Sequence, residues 1–115
     1  MAQYLVLIYE NEDAWEKAGQ AGIDLAMKEH TEFGERNGKA LQGGNALQPT
    51  TTATSIRSDG AGSFTVTDGP FLETKEALGG YYVIDADDLD GAIKISKQVP
   101  ARYGGVEVRP VMVFD

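Results

Sequence analysis

This chain of 115 residues contains one histidine, His30, and no cysteine. Chemistry that needs an imidazole near neutral pH must therefore use His30, while thiol nucleophiles, disulfides and zinc–thiolate centres are excluded together. The carboxylate that suits that imidazole is Asp68, at the head of the run Asp68-Gly69-Pro70-Phe71. An aspartate beside a histidine orients the ring and stabilises its charged form, so the two read as a general acid–base dyad. They also admit a plainer reading, in which His30 is a packed side chain hydrogen-bonded to a backbone carbonyl. Near the C-terminus, Glu107 and Arg109 are two residues apart and share one face of a strand. There Arg109 either clamps a substrate carboxylate through its planar fork, with Tyr81 adding a hydroxyl, or pairs with an acid across the sheet or a dimer interface.

Other constellations point away from chemistry. Asp85, Asp87, Asp88 and Asp90 lack the spacing of a calcium loop, and acids at a helix start are what capping and the helix dipole favour. The pairs Gly43-Gly44, Gly79-Gly80 and Gly104-Gly105 do not compose a phosphate cradle, and no serine sits in a nucleophile elbow. Lys75 between Glu73 and Glu76 reads as a charged helical turn on the surface. No metal and no cofactor are expected.

The elements that hold these residues follow from periodicity. Asp68 lies in a corner where Gly69 tolerates unusual backbone angles, Pro70 fixes its own φ and Phe71 offers an apolar anchor to a core. The expectation is a rigid turn, with the Asp68 carboxylate accepting from nearby backbone N–H groups. Residues 4–9 are apolar on both parities, as in a central strand. Residues 13–18 suit one or two helical turns, with Trp15 packing and with Gly19 and Gly22 as interruptions. From Ile23 the spacing is helical: Ile23, Ala26, Met27, His30, Phe33 and Gly34 share a face, and Asn37-Gly38 predicts a left-handed cap. Residues 41–47 form a short strand, and residues 50–57 and 63–68 a hairpin turned at Asp59-Gly60. Residues 81–84 form another strand. Asp87 or Asp88 then caps a helix with Leu89, Ala92, Ile93 and Ser96 inward, stopped before Pro100, and residues 106–113 form a last strand marked by Pro110.

The order is that of a single α+β domain over residues 1–115: a ferredoxin-like βαββαβ plan with an added β-hairpin. Two helices cover one face of an antiparallel sheet. The other face needs a cover, which a homodimer packed sheet to sheet supplies. Ten Lys and Arg against 18 Asp and Glu give a net charge of −8. An acidic surface repels phosphate backbones, so direct nucleic-acid binding is not expected. With no signal-peptide pattern and no stretch long enough to cross a bilayer, the expectation is a soluble, cytoplasmic protein without membrane association.

Asp68-Gly69-Pro70-Phe71, followed by Glu73-Thr74-Lys75-Glu76 and Leu78-Gly79-Gly80-Tyr81, resembles the signature of the DGPF family, a branch of the YCII-related proteins. Residues 4–9, Ala46-Leu47-Gln48-Pro49, residues 86–90 and residues 106–110 are similar to the family pattern in order and spacing. The resemblance implies a dimeric α+β barrel. It also implies an active site of the kind usually proposed for YCII-related proteins, a histidine on the first helix and an aspartate after the hairpin, which match His30 and Asp68. Asn45 departs from the pattern, standing where many relatives carry a glutamate. By analogy, the pair performs cofactor-independent proton transfer, an elimination or isomerisation, on a small cyclic or aromatic acid. The alternative is a non-catalytic ligand-binding or regulatory accessory protein, since relatives are often associated with sigma factors of the extracytoplasmic-function type.

Overall fold

The run with apolar residues on both parities forms the middle of β1 (Ala2–Asn11). A computed structural model describes all 115 residues. Helix α1 (Glu12–Arg36) follows at once, capped by the Asn11 side chain, which accepts from the Ala14 N–H at 2.9 Å. The expected interruption is real: Gly19 has φ 63° and ψ −157°, a region open to glycine, and it kinks the helix. Gly22 does not interrupt it. The chain continues through β2 (Leu41–Ala46), a 3₁₀ turn (Thr50–Thr52), β3 (Thr54–Ser58), β4 (Phe64–Asp68), β5 (Glu76–Ala86), α2 (Leu89–Ser96) and β6 (Gly104–Pro110).

Four strands form one open sheet in the order β2-β5-β1-β6, each neighbour antiparallel, while β3 and β4 pair only with each other. Each helix thus joins two strands that flank a third, which is the ferredoxin-like α+β arrangement with an added hairpin. On β1, Tyr4, Val6 and Ile8 are buried toward the helices, and Ile84, Ala86, Phe33, Ala92 and Val99 complete the core. Burying a side chain such as Phe33 contributes about 2–3 kcal/mol. The odd residues Leu5, Leu7 and Tyr9 face the other side of the sheet, which no element of this chain covers. No helix is long and apolar enough to cross a membrane.

Several local expectations are corrected. Residues 50–52 curl into a 3₁₀ turn instead of a strand, because the Thr50 N–H and hydroxyl both bond Glu12 and the Thr52 hydroxyl bonds the Pro49 carbonyl. Asn37 stays at φ −119°: its side-chain amide donates to the Phe33 carbonyl and to Gln98, so no left-handed cap is needed. Glu76 opens β5 instead of closing a helical turn. The last strand ends at Pro110, and on α2 only Ala92 and Ser96 of the expected inward face are buried. Asp88 is the cap, accepting from the Gly91 N–H at 2.8 Å.

The corner at Asp68 is fixed by different atoms from those expected. The Gly69 N–H donates to the Ala53 carbonyl at 2.7 Å, the Ser55 hydroxyl donates to the Gly69 carbonyl at 2.6 Å, and Gly69 itself sits at φ 102°. The Asp68 carboxylate takes no part. Nor does Phe71 reach a core: it is largely exposed, with the Arg57 guanidinium 4.8 Å from its ring centroid.

Candidate functional site

His30 sits on the stretch of α1 that crosses β5, and the residue it meets there is Tyr82. Strand period places Tyr82 on the helix side, because it pairs with Val6 and lies two residues from buried Ile84. Nδ1 of His30 and the Tyr82 hydroxyl are 2.6 Å apart, and Phe33 packs against the same phenol at 4.9 Å between centroids. Burial holds the His30 pKa below its ordinary value, although Glu10 and Glu29 act in the opposite direction. Burial also raises the Tyr82 pKa. At neutral pH the bond therefore joins a neutral imidazole to a protonated phenol. In one tautomer Tyr82 donates to Nδ1 and Nε2 carries a proton to give; in the other Nδ1–H donates and Nε2 is a free base.

Glu10 is the third member of this neighbourhood. It continues the inward parity of Tyr4, Val6 and Ile8, is buried, and accepts from the Tyr103 N–H at 3.1 Å. Neither Tyr82 nor Glu10 figured among the residues expected to act, yet parity alone puts both on the helix side. The signal was present in the alternation.

The other expected residues lie elsewhere. Asp68 ends β4, is exposed, and makes no hydrogen bond or ion pair with His30 within the chain. Its charge is not among those that act on the imidazole. Arg109 pairs across from Leu5 and Tyr81 from Leu7, so both occupy the open sheet face, opposite His30. Tyr81 accepts there from the Asn45 amide at 2.9 Å, and Arg109 has no acidic partner in the chain, whose one ion pair is Arg102 with Glu29.

A cleft of about 310 Å³ opens beside the corner, between Thr50-Thr51 and the segment Gly69, Pro70, Leu72, Glu73, Thr74 and Ala77. Glu12 anchors its Thr50 wall to the start of α1. A second, wider groove of about 570 Å³ runs along Tyr9, Thr74–Glu76 and Gly105–Glu107. His30 lines neither.

Fold and site define a ferredoxin-like α+β protein with one half-buried imidazole bonded to a phenol. A sequence profile of the YCII-related domain matches residues 2–115. The chain is also 36% identical over 121 aligned positions to an uncharacterized protein of Rhizobium meliloti (strain 1021), with 96% of this chain and 93% of that one covered. It belongs to the YCII-related domain family.

Proposed function

We propose that the chain is a cytoplasmic small-molecule enzyme of the DGPF branch, or a degenerate relative of one, in which His30 moves protons without a cofactor. The observation that carries this is the 2.6 Å contact between His30 Nδ1 and the Tyr82 hydroxyl. It fixes the ring, keeps one nitrogen occupied and leaves Nε2 for a reacting group. An imidazole that stays neutral at neutral pH is a ready base, and the Tyr82 oxygen, accepting from Nδ1–H, holds the tautomer in which Nε2 takes the proton. The resemblance offers Asp68 as the acid that steadies the imidazolium formed in the step, a role that a second copy of the chain would have to fill, since within one chain Asp68 makes no contact with His30. The reaction class is elimination or isomerisation of a small cyclic or aromatic acid, in which a carbon-bound proton leaves to Nε2. The position of Arg109 and Tyr81 on the uncovered face supports their use in an ion pair or polar contact across a homodimer, not in holding the molecule that His30 attacks.

A pH titration of the single imidazole by NMR tests this reading, in the native chain and in Tyr82→Phe and Asp68→Asn. The expected result is an apparent pKa below the ordinary value that moves in both variants, together with deuterium exchange into one or more small cyclic acids that His30→Gln abolishes. An imidazole that fails to titrate, or that ignores both substitutions, sinks it. A second reading, a ligand-binding or regulatory accessory linked to an extracytoplasmic-function sigma factor, is favoured by the two clefts, which exclude His30, and by the exposed apolar run Val111, Met112, Val113 and Phe114.

A further inference from the structure

The β3–β4 hairpin is amphipathic in a way that its own chain does not use. Cross-strand register places Thr54 opposite Asp68, Ile56 opposite Val66 and Ser58 opposite Phe64. Because alternate residues share a face, Ile56, Phe64, Val66 and Asp68 lie on one side, and Ser55, Arg57, Thr65 and Thr67 on the other. The apolar side stands in water, with Ile56 58%, Phe64 66% and Val66 66% exposed. A two-stranded hairpin is marginal in water by itself, and one with a single apolar face is built to be covered.

Helix α1 carries a matching surface. Ile23, Met27 and His30 follow one another at helical spacing, and Met27 is 65% exposed beside the half-buried His30. The shape of the chain agrees that something is missing. Its accessible surface is 8305 Å² at 12.4 kDa, against about 6,100 Å² for a compact monomer of that mass. Its radius of gyration is 16.1 Å, against about 13 Å for a compact domain of this length. An excess of roughly 2,000 Å² per copy matches the share that one subunit contributes to a large dimer interface.

We propose that the hairpin is an exchanged arm: its apolar face packs on the Ile23–Met27 stripe of a second copy of this chain and brings Asp68 to that copy's His30. The occupant is a second copy because every copy carries both halves, the arm and the stripe, and a two-fold arrangement uses both without remainder. The carboxylate lies on the same side of the arm as the apolar residues, as the imidazole lies on the stripe. The site is thus incomplete in one protomer and closed by the partner's Asp68. This rests on the dyad reading above.

The absence of cysteine makes the arrangement testable by single introduced thiols. Met27→Cys chains are mixed with Phe64→Cys chains, and separately with Ile56→Cys chains, then treated with a short bismaleimide. The expected result is a covalent dimer that joins the two different chains in each mixture. A yield no higher than with Arg57→Cys, on the polar side of the arm, overturns the proposal, as does a monomer in sedimentation. Labelled Asp68→Asn chains mixed with excess unlabelled native chains supply the second arm. His30 of the labelled chain is expected to titrate at a lower pKa in the pure variant, because the neighbouring negative charge is gone, and to regain the native value in the mixture. Low values in both place Asp68 beside His30 of its own chain and overturn the exchange while leaving the dyad intact. No change in either removes the dyad itself.

Discussion

In β1 every second residue from Tyr4 to Ile8 is buried under the helices, whereas in the hairpin Ile56, Val66 and Phe64 hold the same alternating positions and remain in solvent. The two regions obey one sequence rule and meet opposite fates. The difference lies in what covers them: two helices of the same chain lie over the four-stranded sheet, and no element of the chain lies over the hairpin. Alternation therefore reports that a face is meant to be buried, and leaves open which molecule buries it.

Substitutions separate the two regions. Phe33→Ala, in the middle of the body, is expected to cost about 3–5 kcal/mol in urea unfolding, because it opens a cavity under Tyr82 in a rigid layer. Loss of less than about 1 kcal/mol there would mean that the body is as loosely held as the arm. The double change Phe64→Ser with Val66→Ser is expected to do the reverse: dilute chains keep their fold within about 0.5 kcal/mol, and association measured by sedimentation is lost. Should the body unfold instead, the arm is part of its stability and the contrast fails.

Asp88→Ala removes the cap of α2 and is expected to lower thermal stability by about 1 kcal/mol, without touching association. The smallest effect is that of pH. His30 has a lowered pKa when folded, so the unfolded chain binds the extra proton first as pH falls. The stability due to its neutral form is complete above the unfolded value near 6.5, and is lost as pH drops from there through the lowered folded value. In His30→Gln that part of the pH dependence should vanish from denaturation curves; if the slope persists, other groups cause it.

Much of the body was legible in the residues. The two-parity run at residues 4–9, the helical spacing from Ile23, the break at Gly19, the Asp59-Gly60 turn and an aspartate cap before Leu89 all state local preferences that the fold keeps. What was not legible depends on partners distant in the chain. Thr50 turns away from a strand because Glu12 binds it from 38 residues earlier. Phe71 looked like a core anchor, since nothing local says that its neighbourhood is the base of an arm. His30 was found because it is unique, but its partner Tyr82 lies 52 residues on. Residue chemistry and the resemblance both set Asp68 beside His30, yet within one protomer the fold keeps them apart, His30 on α1 and Asp68 at the end of β4 in the separate hairpin.

The bend at Gly19 also fixes where the first turns of α1 point. They lay Trp15 edge-on against Tyr103, 5.2 Å between ring centroids, while the backbone of Tyr103 holds Glu10. Trp15 is the chain's one tryptophan, so its ultraviolet emission reports on that single hinge with no dye attached. A side chain at position 19 that straightened the helix would swing the indole off the phenol, and the protein's own light would register the movement.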